Sequence, residues 1–204
     1  MVTSYIGAVK AWDDQEACKV QSDLWAEDKN KLAVERSVAL LLQSYGADSV
    51  LDLGCGCGRF ALACTYKRYL GIDQSLNMVE LAQMNTRKIA GCKFLNEDVL
   101  NYSLTAWFDI AILIHVLQHT TDPELFIKRV LDNYGATRWI FTILVNDGHE
   151  PIALNIGDEI AARALTRKQA RDLAHKFFIV TYTQELLGVG VEDVKEILYV
   201  GKPR

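Results

Sequence analysis

The residue types able to do chemistry first cluster in Ser49-Val50-Leu51-Asp52-Leu53-Gly54-Cys55-Gly56-Cys57-Gly58-Arg59-Phe60. Glycines at alternate positions let a chain turn tightly and bring its backbone against a ligand with no side chain between. Asp52 precedes the glycines, and Asp73 lies 21 residues after Asp52 and 15 after Gly58. In a nucleotide-binding α/β sheet, a carboxylate placed there accepts the protons of both ribose hydroxyls. A dinucleotide dehydrogenase uses the same logic, but its fingerprint is G-x-G-x-x-G. Here the glycines run G-x-G-x-G, and Arg59 takes the place of the third glycine. Two side chains able to take a proton, His115 and His119, follow the apolar run 108–114.

Those residues need elements to hold them. Residues 13–45 read as helical, with Val34, Val38, Leu41, Leu42 and Tyr45 on one face, and Gly46 ends the run. Strands are expected at 50–53, 69–73, 92–95, 108–114 and 139–145. Between them fall a helix through Phe60, Ala61, Leu62 and Cys64 and a second capped by Ser75, whose inner face is Met78, Leu81, Ala82 and Ile89. A third follows the Asp122-Pro123 cap and buries Ile127, Val130, Leu131 and Tyr134. Residues 146–157 read as loop. Thr166 to Gln169 reads as a capping box opening a helix to about Lys176, followed by strands at 177–183 and 194–200 close enough to pair antiparallel. The pattern predicts an α/β fold: a doubly wound, mostly parallel seven-stranded sheet with a C-terminal antiparallel strand pair. One domain is expected over 1–204, with 1–45 a helical cover carrying Tyr5, Trp12 and Trp25, and 46–204 the α/β core.

Composition narrows the function classes. Half of the 204 residues are hydrophobic and the formal net charge is −4, which disfavours a broad nucleic-acid surface. The start of the chain lacks a signal-peptide pattern, and the run 110–117 is too short to span a bilayer, so a cytoplasmic protein without membrane association is expected. Five cysteines, at 18, 55, 57, 64 and 92, have no zinc-ribbon spacing, and no metal is expected. Asn146-Asp147 after the fifth strand reads as turn chemistry more readily than as metal ligands. Arg163, Arg167, Arg171 and His175 recur every four residues and read as a solvated helix face.

Further motifs give the pattern a family likeness. After Val50 to Gly58 come Gly71-Ile72-Asp73-x-Ser75-x-x-Met78, then Asn96-x-Asp98-Val99, then Phe108 to His119. In this order and spacing the chain resembles the class I S-adenosylmethionine-dependent methyltransferases, with a Rossmann-like fold. The stretch 195–201 resembles their last antiparallel strand less specifically. The resemblance implies S-adenosyl-L-methionine as cofactor and a small or medium-sized methyl acceptor. Asp52 and the backbone of Gly54, Gly56 and Gly58 would hold the methionine end. Asp73, with Gln74 beside it, would bind the ribose hydroxyls, and Met78 would lie against adenine or ribose. Asp98 would accept from the adenine amino group, and the Val99 N–H would meet a ring nitrogen. Ile114 and His115 would lie beside the sulfonium, with His115, and less directly His119, as bases. Base methylation of nucleic acid is disfavoured, because 114–117 lacks the Asn/Asp-Pro-Pro-aromatic run. Aminopropyl transfer, a lyase, or a non-catalytic partner subunit remain open as alternatives, and no oligomeric state is implied.

Overall fold

The computed structural model describes residues 14, 16, 18, 19, 29–63, 65–156, 159–186 and 193–204. The expected aromatic cover of Tyr5, Trp12 and Trp25, and Cys64, lie outside them. After helix α1 (Lys29–Ser44), the chain alternates: β1 (Ser49–Leu53), α2 (Arg59–Ala63), β2 (Arg68–Asp73), α3 (Leu76–Thr86), β3 (Cys92–Asn96), β4 (Trp107–Leu113). A 3-10 turn (Leu117–His119) leads to α4 (Pro123–Asn133) and β5 (Gly135–Asn146). Then come β6 (Ile152–Ile156), β7 (Glu159–Thr166), α5 (Arg167–Phe177), β8 (Phe178–Leu186) and β9 (Val194–Pro203).

Strands β3-β2-β1-β4-β5 lie side by side in parallel. Strand β9 runs antiparallel to β5 and to β8. These seven strands form the expected doubly wound frame with its antiparallel end. Side chains alternate across it because successive residues of a strand point to opposite faces. Leu51, Leu113, Phe141 and Tyr199 meet Phe126, Ile127 and Val130 of α4 and Ala170, Leu173 and Ala174 of α5. Their neighbours Val50, Ile112, Ile140, Leu198 and Val200 meet Val34, Val38 and Leu42 of α1, Phe60 of α2, and Val79 and Ala82 of α3. The helices therefore cover both faces. No helix among the described residues is long and apolar enough to cross a membrane.

Three expectations are corrected. The stretch read as a loop over 146–157 contains β6, which pairs with β7 as an antiparallel hairpin. The alternation Ile152-x-Leu154-x-Ile156 was too short to stand out against Gly148 and Pro151. Arg163 is on that hairpin, and Arg167 opens α5, so the arginine series is not one helix face. Helix α3 ends at Thr86, with the Ile89 N–H turned back onto the Thr86 carbonyl at 2.7 Å. Its inner face is Met78, Val79, Ala82 and Thr86; Leu81 is half-buried and Ile89 lies beyond the helix.

The hairpin is held at one corner. Strand β7 pairs with β5 at Val145↔Leu165 and Asn146↔Thr166, and its Ala162 and Ala164 pack with Leu144 and Val194. The buried Asn146 amide donates to the carbonyls of Ala164, Leu165 and Glu150 at 3.2–3.3 Å, while its oxygen accepts from the Gly148 N–H at 2.8 Å. Asp147 is paired with Arg167 and, at 3.4 Å, with Lys195. Both residues thus have structural work.

Phe141 is 1% exposed, stacks on Tyr199 at 5.4 Å and tilts against Phe178 at 4.7 Å. A Phe141→Ala variant is expected to lose about 3–5 kcal/mol of stability in urea unfolding. Leu40→Ala, on the exposed face of α1, should change it by no more than about 0.5 kcal/mol.

Candidate cofactor and acceptor site

The site is built where β1, β2, β3 and β4 end together. Register sets the alignment: Asp52 lies opposite Gly71 and Ile112, and Asp73 opposite Asn96. Ligands in open α/β sheets collect at this carboxyl edge.

The glycine turn is fixed by hydrogen bonds to β2. Gly54 and Cys55 N–H groups donate to the Ile72 carbonyl at 2.8 and 3.1 Å, and Gly56 N–H donates to Asp73 Oδ2 at 2.8 Å. Gly54, Gly56 and Gly58 have φ of +76°, +49° and +77°, the left-handed region that favours glycine. Their surroundings differ. A Cβ on Gly54 would lie 2.4 Å from Val116 Cγ2, so the turn after β4 rests directly on the glycine turn. At Gly56 an added Cβ would meet nothing within 4 Å. The backbone at Gly56 therefore faces open space, with the Asp73 carboxylate alongside.

The carboxylates differ in setting. Asp73 Oδ1 accepts from the Ser75 N–H at 2.9 Å. Burial raises the Asp73 carboxyl above its ordinary range, and the two backbone N–H bonds oppose that. Asp52 is 1% exposed and accepts the Tyr69 hydroxyl proton. Burial pushes its pKa up to about 7, against the Tyr69 bond and with help from the charge of Asp73. The Cys55 thiol, buried beside both, is pushed up first by burial and then by the Asp52 charge.

Asn96 Nδ2 donates to the Gln74 carbonyl at 2.8 Å, and Glu97 N–H to that of Asp73 at 3.0 Å, which brings the turn after β3 beside Asp73. Asp98 in that turn accepts from Leu100 N–H at 2.9 Å and Asn101 Nδ2 at 2.6 Å, and Val99 is buried. Gln74 itself is exposed. Met78, 6% exposed, packs with Cys57 and Cys18, the last being a buried residue of the N-terminal segment.

At the end of β4, Ile114 is buried and His115 adopts φ +58°. The His115 N–H donates to Thr142 Oγ1 at 3.0 Å, and its Nδ1 lies 3.2 Å from Oε1 of Glu196. His119 closes the 3-10 turn, its N–H donating to the Val116 carbonyl at 2.9 Å. Tyr69, Val116, Thr142 and Glu196 were not singled out from sequence. Glu196 alone had a visible signal: it takes an inward position between Val194 and Leu198, where alternation calls for an apolar side chain.

Another hollow, of about 630 Å³, opens at the opposite edge of the sheet between Trp107, Tyr134, Phe177 and Arg204. Two of its lysines are paired, Lys128 with Asp132 and Lys176 with Glu124. The glycine turn is not part of it.

Fold and edge geometry define a doubly wound α/β protein with a glycine turn at the carboxyl edge of its sheet. Residues 51–138 match the family model described as a methyltransferase domain. The carboxy-S-adenosyl-L-methionine synthase of Campylobacter hominis is 38% identical over 74 residues, 34% of this chain and 31% of that protein. Nodulation protein S of Bradyrhizobium diazoefficiens is 25% identical over 130 residues, 61% of this chain and 59% of that protein. The chain thus spans about a third of the first relative's length. In fold it is similar to the Burkholderia thailandensis 1,6-didemethyltoxoflavin-N1-methyltransferase, solved with 1,6-didemethyltoxoflavin and S-adenosylhomocysteine. There the TM-score is 0.74 at 16% identity, over 96% of this chain and 88% of that one. Over residues 51–138, which hold the glycine turn and the ends of β1 to β4, the chain is similar to the methyltransferase domain family.

Asp52 yields a pH test. The unfolded chain releases this proton near pH 4, whereas the folded one holds it to about pH 7. Stability should therefore fall as pH rises through that window, by on the order of 4 kcal/mol, and level off above it. Thermal melts of Asp52→Asn across pH 4–8 should show a shallower decline, the remainder coming from Asp73 and Glu196, whose carboxyls burial also raises; a slope equal to the wild type's would remove the buried, protonated Asp52.

Proposed function

We propose that this chain binds S-adenosyl-L-methionine over the glycine turn and transfers its methyl group to a small-molecule acceptor. The observation that carries the reading is the Gly56 backbone, open above and bonded to Asp73 below. In this reading Asp73 takes the ribose hydroxyls, with Gln74 beside it. Asp52 supports the methionine end from beneath Gly54, Gly56 and Gly58. Asp98, the Val99 N–H and Met78 surround the adenine. Asp98 already accepts two bonds within its turn, so an adenine amino group would share those oxygens.

A sulfonium supplies an activated methyl carbon. The protein's share of the work is alignment and exclusion of water, and alignment alone can contribute about 7–11 kcal/mol. Ile114 and His115 would stand at the methyl, with His119 further along the turn. The hairpin β6–β7 and the N-terminal segment, whose Cys18 packs on Met78 and Cys57, would close the acceptor side. We read 1–204 as one domain, and we place the protein in the cytoplasm, where thiols such as those of Cys55 and Cys92 stay reduced.

Support for methyl transfer to a small molecule comes from the names of similar proteins, among them the (S)-coclaurine N-methyltransferase of Thalictrum flavum subsp. glaucum. A second reading is favoured by the synthase relative, whose name gives as its product a carboxy derivative of S-adenosylmethionine itself. Product analysis separates the two. Methyl transfer must release S-adenosylhomocysteine and place a labelled methyl on an extract component, whereas derivatisation leaves the label on the nucleoside.

Calorimetric titration should show binding of S-adenosylhomocysteine by the wild type, and Asp73→Asn should weaken it at least about tenfold, the loss of a charged hydrogen bond. Absence of wild-type binding would defeat the reading. Unchanged affinity in the variant would move the ribose elsewhere.

A further inference from the structure

The seven-stranded frame ends in two unlike edges. At one lies β3, five residues long and carrying the exposed Lys93. Short edge strands and edge lysines are ordinary means of keeping another strand from pairing there. At the other lies β8, nine residues long, which among the described residues pairs with β9 alone. Its sequence, Phe178-Ile179-Val180-Thr181-Tyr182-Thr183-Gln184-Glu185-Leu186, holds no lysine, arginine or proline and is rich in β-branched and aromatic residues. The outer N–H and C=O groups of such a strand are a template for one more.

The side chains of β8 are arranged about its middle. Register places Ile179 opposite Lys202 and Tyr182 opposite Val200 of β9, so the two stand on one face, which α1 covers farther in. They share it although three residues apart, because a bulge at Thr181 inserts one residue. Ile179 is 55% exposed and Tyr182 41%, so the edge presents an apolar pair to solvent. Thr181 and Thr183 are exposed as well, and Val180 is half-buried. Charge follows the same plan. Lys176 stands just before the strand and Glu185 near its end, each half-exposed and already paired within the chain.

We propose that β8 pairs antiparallel with β8 of a second copy of this chain, about a two-fold axis between Val180 and Thr181. A strand with a base at one end and an acid at the other is self-complementary in that orientation. The axis sets Ile179 of each copy opposite Tyr182 of the other, a β-branched side chain against an aromatic one. Val180 then faces Thr181, Phe178 faces Thr183, and Lys176 comes beside Glu185, so no like charges meet. The bulge falls on the axis, where both copies carry it alike. Such an interface is isologous and closes at two copies. The two frames become one continuous sheet. Because the paired strands run in opposite directions, the two carboxyl edges open at opposite ends, and neither glycine turn is covered. A strand of another protein fits the same edge, but the match between the two halves of β8 favours a second copy.

Sedimentation velocity of the full chain, at up to about 100 μM, should show a species of twice the 22.9 kDa chain mass. Ile179→Lys combined with Tyr182→Lys sets lysine opposite lysine and should weaken the association at least about tenfold. Leu40→Lys, on the exposed face of α1, should leave it unchanged. In the wild type, amide hydrogen exchange over 178–186 should slow as concentration rises through the association range, which locates the contact without any variant. A wild type that stays monomeric overturns the inference and leaves the edge to a strand of another protein. A dimer that survives the two lysines, or gains no protection over 178–186, overturns it as well. If the double variant does not fold, the exchange measurement still decides.

Discussion

The structure depends on an absence of atoms at residue 54. Because Gly54 has no side chain, Val116 settles onto the glycine turn, where an added Cβ would sit 2.4 Å from Cγ2. That contact ties the end of β1 to the end of β4. Around it the turn hangs from the Ile72 carbonyl and from Asp73 by three backbone N–H bonds. A larger residue at 54 would push apart the two strands that frame this edge of the sheet. The strained φ would add to the penalty.

Charge is handled at this edge by burial with designated partners. Asp52 has Tyr69 and Asp73 has two backbone N–H groups, while Glu196 lies 3.2 Å from His115 Nδ1. None of these carboxylates is paired with an arginine. A cation-bearing cofactor would find carboxylates that burial has made reluctant to ionise, and ionising them in its presence becomes part of binding it. The clear Arg–carboxylate pairs lie farther out. Arg59 is bonded to Glu35 at 2.8 Å, fastening α1 to α2, and Arg167 links Asp147 to Glu185 below the hairpin.

Much of this edge was legible in the sequence because its signals are local. The glycines, the acid after each of the early strands, and the unbroken run of β4 can all be read within a dozen residues. Tyr69, Thr142 and Glu196 escaped notice because each acquires its meaning from a partner on another strand, and strand order alone brings them together. Glu196 reaches His115 only because β9 inserts antiparallel beside β5. The hairpin was missed for another reason: its strands are short and rich in alanine and polar residues, and small side chains such as Ala162 and Ala164 are what it buries among the described ones.

That hairpin joins the sheet at two register pairs and is riveted by one amide, Asn146. Strands β5 and β9 are zipped along eight register pairs without it. Beyond that corner and the small cluster of Ala162 and Ala164 with Leu144 and Val194, the strand ends are aligned by pairings the hairpin does not enter. An evolving lineage could lengthen it, trim it or exchange it for a helix without shifting the alignment of the strand ends. Proteins that share these strand ends can then differ at the hairpin alone, as interchangeable heads share one handle.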